Sequence, residues 1–213
     1  MKNIICFLLF VLLINTLKTN AQRQRIIAEC TIGYTIKIDS NSIDKSASSN
    51  ILGQSKTVYI KANRSRVDVV SPAFNQSVFF DQSTGSATIL REIGNNKFIT
   101  KLDKSKWKSE NSKYENPIIS YSGELKNILG YACKKAILSY KSGEVIYLYV
   151  TTEIMPSVRE FEYQFKDISG LILEYESIES GGLKINCTAV KIDLSPVQAS
   201  IFNIPTSGYR VLN

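Results

Sequence analysis

Apolar and polar residues alternate along most of this chain with the two-residue period of a half-buried β-strand. Between Arg25 and Ile38, the residues Ile27, Cys30, Ile32, Tyr34, Ile36 and Ile38 predict one long strand, with the period clearest in its second half. Thr57–Lys61 and Arg66–Val70 flank Ala62-Asn63-Arg64-Ser65, and Gln76–Asp81 and Ser86–Glu92 flank Gln82-Ser83-Thr84-Gly85. Gly130–Tyr140 and Glu144–Thr152 meet across Lys141-Ser142-Gly143, and Leu171–Ser177 and Leu183–Asp193 meet across Ser180-Gly181-Gly182. Each is a hairpin signal, because turn-forming residues sit between two β-patterned runs. Gly94-Asn95-Asn96 turns the chain into a further strand at Lys97–Leu102, and Pro117–Tyr121 reads as extended.

The pattern lapses in four places. Asp39–Asn50 is rich in Ser, Asn and Asp and reads as a loop. Asp103–Asn116 is polar and lysine-rich around Trp107, and reads as a loop or irregular edge strand. Ile154–Asp167, with Pro156 and the aromatics Phe161, Tyr163 and Phe165, fits a helix or a loop. Ser195–Phe202 suits a short helix with Ser195 as N-cap and Pro196 at its first position, followed by an extended tail through Ile204–Tyr209. With about nine antiparallel strands, no linker and no repeat, residues 22–213 read as a single mainly β domain. Val145–Val150 is apolar at every position, which predicts burial on both faces. That strand needs a cover of helices, a second sheet or an apolar ligand. Val145, Tyr147, Tyr149, Leu171 and Leu173 are therefore the candidate lining of a ligand cavity.

The N-terminus changes the setting. Lys2, the apolar run Ile4–Ile14 and the small or polar Thr19-Asn20-Ala21 have the arrangement of a cleavable signal peptide over residues 1–21. The run is too short to cross a hydrocarbon core of about 30 Å, and no later stretch is long enough, so no transmembrane span is expected after cleavage. The expected location is the periplasm or cell envelope of a Gram-negative bacterium. The net charge of +7 falls by two with loss of Lys2 and Lys18. Lys104, Lys106 and Lys108 form a candidate basic surface for an envelope partner or anionic headgroups. Nucleic acid is not an expected partner, since no binding motif is present.

Export also gives the cysteines meaning, because a disulfide persists in an oxidising compartment. Cys6 leaves with the signal peptide, and Cys30, Cys133 and Cys187 remain. A Cys133–Cys187 bridge is favoured, since both lie in strand-like segments of the C-terminal half; Cys30 paired with either is the competing arrangement. With no histidine and no Cys-x-x-Cys pair, a zinc site is not expected. The common catalytic constellations are missing too, so no catalytic residue and no cofactor is assigned and the chain is not expected to be an enzyme. Glu174 and Glu176 share one face of a strand and read as the wet side of a sheet.

Four ordered motifs carry a family resemblance. They are Trp107-Lys108, Lys126-Asn-Ile-Leu-Gly-Tyr-Ala-Cys-Lys-Lys-Ala136, Tyr149-Val-Thr-Thr-Glu-Ile-Met-Pro156 and Phe165-Lys-Asp-Ile-Ser-Gly-Leu-Ile-Leu-Glu174. Together they resemble the GLPGLI family of exported Bacteroidetes proteins, with Asp167 and Ser169 departing from the last block while Gly170-Leu171-Ile172 keeps it. The closing Phe202–Tyr209 segment is similar to exported proteins of LolA-like fold. That likeness implies a curved antiparallel sheet, or incomplete β-barrel, with one or two short helices. The implied function is binding of a lipid or other apolar ligand in the half-barrel; the alternative is a protein-interaction or assembly module serving an outer-membrane system.

Overall fold

A computed structural model describes residues 24–38, 54–179 and 183–212. The expected signal peptide, the Asp39–Asn50 loop and the Ser180-Gly181-Gly182 turn lie outside the described residues. The strands are β1 (Arg25–Ile27), β2 (Glu29–Ile38), β3 (Ser55–Lys61), β4 (Arg64–Val70), β5 (Phe74–Asp81), β6 (Ser86–Ile93) and β7 (Asn96–Leu102), followed by β8 (Ile118–Ile128), β9 (Tyr131–Ser139), β10 (Val145–Thr151), β11 (Ile154–Pro156), β12 (Leu171–Glu179), β13 (Leu183–Asp193) and β14 (Arg210–Leu212). Helix α1 (Lys104–Glu110) follows β7.

Twelve strands form one sheet in the order β14-β7-β6-β5-β4-β3-β2-β13-β12-β10-β9-β8. The expected fold class is the observed one: the chain is mainly β, and its large curved sheet stays open, with β8 and β14 at its two edges. Strands β2 to β7 form an antiparallel meander in chain order, and β13 pairs antiparallel with β2 to join the two halves. The small β1 pairs in parallel with β11. A break at Ala28 thus divides the long strand expected over Arg25–Ile38.

The alternation read from the sequence becomes the two faces of this sheet. Ile32, Val58, Val67, Phe80 and Ala87 all point inward and belong to the main core. Two segments lie across that inner face. One is α1, for which the sequence suggested only a loop or edge strand. Asp103 caps it by accepting from the Lys106 amide at 2.8 Å, and Trp107 is its only buried residue. The other runs from Ser157 to Gly170 and carries Val158, Tyr163, Phe165 and Ile168 into the core. Neither of the structures expected there is the whole answer: β11 opens the region, and a 3₁₀ turn at Tyr163–Phe165 follows.

The C-terminal tail crosses the outer face of the meander. Phe79, Leu90 and Ile99 form a second apolar cluster there, against which Tyr209 packs. Of the helix expected over Ser195–Phe202, only a 3₁₀ turn at Ala199–Phe202 forms. The preceding amides are instead taken by carboxylates, Ser195 N by Asp193 at 3.0 Å and Val197 N by Glu29 at 2.7 Å.

Candidate functional site

The inner face is mostly apolar, but it buries polar side chains at Ser65 and Lys56. Lys56 occupies an inward position of β3, in the same alternation as Val58 and Ile60. It leaves only 3% of its side chain exposed and meets Glu162, 12% exposed, at 2.6 Å. The Lys56 ammonium also lies 4.3 Å from the Tyr34 ring centre and 4.7 Å from that of Tyr175, and donates to the Tyr175 hydroxyl at 3.2 Å. Charge on the sheet is thereby matched to charge on the overlying Ser157–Gly170 segment. Burial is the leading cause that pushes both tyrosine hydroxyls well above their usual range, with the Glu162 carboxylate adding to it. Nothing in the sequence motifs singled out Lys56 and Glu162. The available signal was a lysine standing in the inward register of an otherwise apolar strand.

The overlying segment is tied down elsewhere as well. Ser157 Oγ donates to the Ala62 carbonyl at 2.6 Å, and Lys166 pairs with Glu115 at 3.4 Å and Asp167 at 2.9 Å. The Tyr163 hydroxyl donates to Glu115, and the Tyr163 ring meets Trp107 edge-on at 6.0 Å. A cavity of about 20 Å³ lies beneath it, bordered by Tyr34, Phe165 and Leu171. Farther along, between α1 and strands β6–β7, the inner face stays open as a groove of about 410 Å³.

The five expected lining residues do not converge. Leu171 and Leu173 are buried in the core, but Val145 and Tyr147 are 37% and 42% exposed on the outer face. The two-sided burial expected of β10 is corrected: Ile146, Leu148 and Val150 turn inward, and the intervening residues face solvent or are half-buried. The outer face is made tolerable for aromatics by lysine stems and polar partners. Lys135 lies 5.8 Å from the Tyr147 ring centre and Lys126 lies 5.1 Å from that of Tyr149. Glu124 accepts from the Tyr149 hydroxyl. Glu174, read as one of two wet-side carboxylates, is nearly buried and holds Lys126 at 2.7 Å, whereas Glu176 is exposed.

The three lysines of the expected basic surface are all exposed on α1 but serve different surroundings. The Lys104 stem lies over the β5–β6 turn, where a Cβ on Gly85 would come within 2.9 Å of it. Lys106 borders the groove. Lys108 adds to the field that holds the Glu115 carboxyl below its usual range, after the Tyr163 hydroxyl and Lys166.

The expected Cys133–Cys187 bridge is also corrected, since Cys30, Cys133 and Cys187 are all free thiols. Cys133 is on β9 and Cys187 on β13, with β12 and β10 between them. Three strand spacings amount to about 14 Å, against a Cα separation of at most about 7 Å for a disulfide. Cys30 is on β2 beside β13, but Cys187 pairs with Ile36, six positions along the strand. Burial pushes the Cys30 thiol up to about 12 and that of Cys133 up to about 11. These thiols are therefore expected to resist iodoacetamide at pH 8 in the folded protein and to react fully in denaturant without reductant. Thiols that became reactive only after reduction, counted by mass spectrometry, would establish a bridge. Among the described residues, no group of three or more Cys, Asp or Glu is placed to hold a metal ion.

No protein-family model matches the chain, and no curated protein matches its sequence. Solved structures do resemble it. An uncharacterized conserved protein from Thermus thermophilus aligns over 90% of this chain and 91% of its own, with a TM-score of 0.51 at 8% identity. PNGF-II aligns over 86% of this chain at a TM-score of 0.50 and 14% identity. The chain spans only 30% of the length of PNGF-II. A LolA superfamily protein from Nitrosomonas europaea aligns over 86% of this chain and 94% of its own, at 11% identity and a TM-score of 0.36. For the Thermus protein and PNGF-II, at these identities, the likeness is one of fold alone.

Proposed function

We propose that this chain is a non-enzymatic, exported envelope protein that binds an apolar ligand on the inner face of its half-barrel. One observation carries the reading: the inner face of a wide open sheet is apolar over most of its extent, and a groove of about 410 Å³ on it remains open beside Trp107. That volume falls within the usual range for small-molecule sites, about 300–1,000 Å³. The Ser157–Gly170 segment already fills the centre of the concavity, so the ligand site is the uncovered end. The motifs resembling the GLPGLI family support an exported setting. Their last three blocks fall on the β8–β9 hairpin, on β10–β11 and on the passage from Phe165 into β12; β8, β9, β10 and β12 are neighbours at one end of the large sheet, and β11 belongs to the two-stranded sheet with β1. No helix among the described residues is long and apolar enough to cross a membrane.

Native mass spectrometry of the protein, purified after export from a bacterial host, tests the reading. A recurrent adduct that partitions into organic solvent is expected. Repeated preparations without one, together with no uptake of added single-chain lipids, would overturn it. The alternative reading, an assembly module, draws on the three exposed lysines of α1. It requires a partner that is lost when Lys104, Lys106 and Lys108 are changed to Glu.

A further inference from the structure

The open groove has a chemistry of its own, and it deepens the ligand-binding reading on which it rests. Three apolar side chains, Ile89, Leu102 and Trp107, line it beside Thr100, Ser109 and Asn111, and its rim holds Arg91, Lys101 and Lys106. One carboxylate, Glu110, stands among these three cations. Arg91 donates through Nε to Gln76 at 2.9 Å, and neither Arg91, Lys101 nor Lys106 forms an ion pair among the described residues. Elsewhere the lysines of this protein find carboxylates readily, as Lys56, Lys61, Lys97, Lys126 and Lys135 do. The groove thus combines an apolar surface with cations left available at its mouth.

We infer that the groove between α1 and β6–β7 binds a single-chain anionic amphiphile, its chain on Ile89, Leu102 and Trp107 and its headgroup between Arg91 and Lys106. A guanidinium presents a planar fork suited to a carboxylate, and an ammonium adds a point charge. Three cations against one carboxylate favour an anion and disfavour a cationic amphiphile of equal chain length. The concave shape selects a separate molecule, because a membrane surface cannot follow a groove walled by a helix and two strands.

Trp107 is the sole tryptophan and lines the groove, so its emission reports occupancy directly. The test titrates the folded protein with dodecanoate, dodecanol and dodecyltrimethylammonium, all below micelle formation. A saturable emission change with dodecanoate is expected, with affinity at least about tenfold above dodecanol, the scale of one charge-assisted contact. The cationic amphiphile gives no response. The double variant Arg91→Gln/Lys106→Gln weakens dodecanoate binding by at least about tenfold without moving the thermal midpoint, since both side chains are exposed. Lys104→Gln/Lys108→Gln, off the groove, binds as the parent does.

Equal binding of alcohol and acid, or parental binding by the Arg91/Lys106 variant, would overturn the inference. So would co-sedimentation with phosphatidylglycerol vesicles in the absence of any response to monomeric dodecanoate. If native mass spectrometry still finds an apolar adduct in the Arg91/Lys106 variant at parental occupancy, the ligand sits elsewhere on the inner face. The broader reading then stands while this one falls. No adduct and no Trp107 response together remove both.

Discussion

Substituting alanine for Gly170 is expected to cost about 3–5 kcal/mol, enough to leave little folded protein. Gly170 sits where the overlying segment re-enters the sheet, directly ahead of β12. Its φ of +135° lies in a region that side-chain-bearing residues rarely occupy. A Cβ there would also come within 2.7 Å of Val150 Cγ2 and closer still to the Thr151 carbonyl oxygen. That oxygen belongs to β10, the strand paired with β12, and Thr151 is fully buried, so the backbone cannot yield without parting the sheet. Gly130 is the control. Its φ is +85°, but a Cβ there meets nothing within 4 Å, so Gly130→Ala is expected to cost about 1 kcal/mol. Urea denaturation of both variants measures the difference. A Gly170→Ala midpoint equal to the parent's would mean that the segment enters β12 by another path.

The second large effect is expected at Lys56 and Glu162. Changing Glu162 to Met leaves an ammonium that is 3% exposed facing only the Tyr175 hydroxyl and two aromatic rings among the described residues. Breaking a buried pair from one side costs about 3–5 kcal/mol, because the remaining charge has lost both water and partner. Lys56→Met is destabilising for the same reason, with Glu162 the stranded group. The double variant Lys56→Met/Glu162→Met carries neither charge and is expected to recover most of the loss, since well-packed apolar replacements of buried pairs are often neutral. Denaturation of all four proteins closes a double-mutant cycle. Simple additivity of the two single changes would show that the pair is not coupled. Hydrogen exchange adds a spatial readout: in Glu162→Met, amides of residues 157–170 are expected to exchange faster than those of β4 and β5.

The hairpins were legible because their turns and their alternation agree. Lys61-Ala62-Asn63-Arg64 and Gln82–Gly85 close the β3–β4 and β5–β6 turns within a residue or two of where the polar pattern put them. Helix α1 was hidden because Trp107 is its only inward residue, and one apolar position in seven draws no 3.6-residue stripe. Its remaining sign was Asp103 at the cap. The β10 face was misread because tyrosine has a polar end. Tyr147 and Tyr149 stand half in solvent beside Lys135 and Lys126 in a run that looks wholly apolar when written as letters. The cysteine pairing failed for a different reason: it depended on strand order, which no local pattern contains. Lys56 and Glu162 meet across 106 residues of chain, and only the folded sheet brings that lysine beneath that glutamate. The groove shared the difficulty, because Arg91 and Lys106 come from a strand and a helix that the sequence did not place together.

The seam between β2 and β13 has a consequence in time. Thr35 and Thr188 are paired across it although 153 residues separate them. Pairings of such sequence separation form late, because the loop between them must close before any contact rewards it. At synthesis rates of about 5–20 residues per second, the partner of β2 emerges roughly 10–30 s after β2 itself. Through that interval the nascent chain carries a long strand with one side unclaimed, a template for any extended segment that reaches it first.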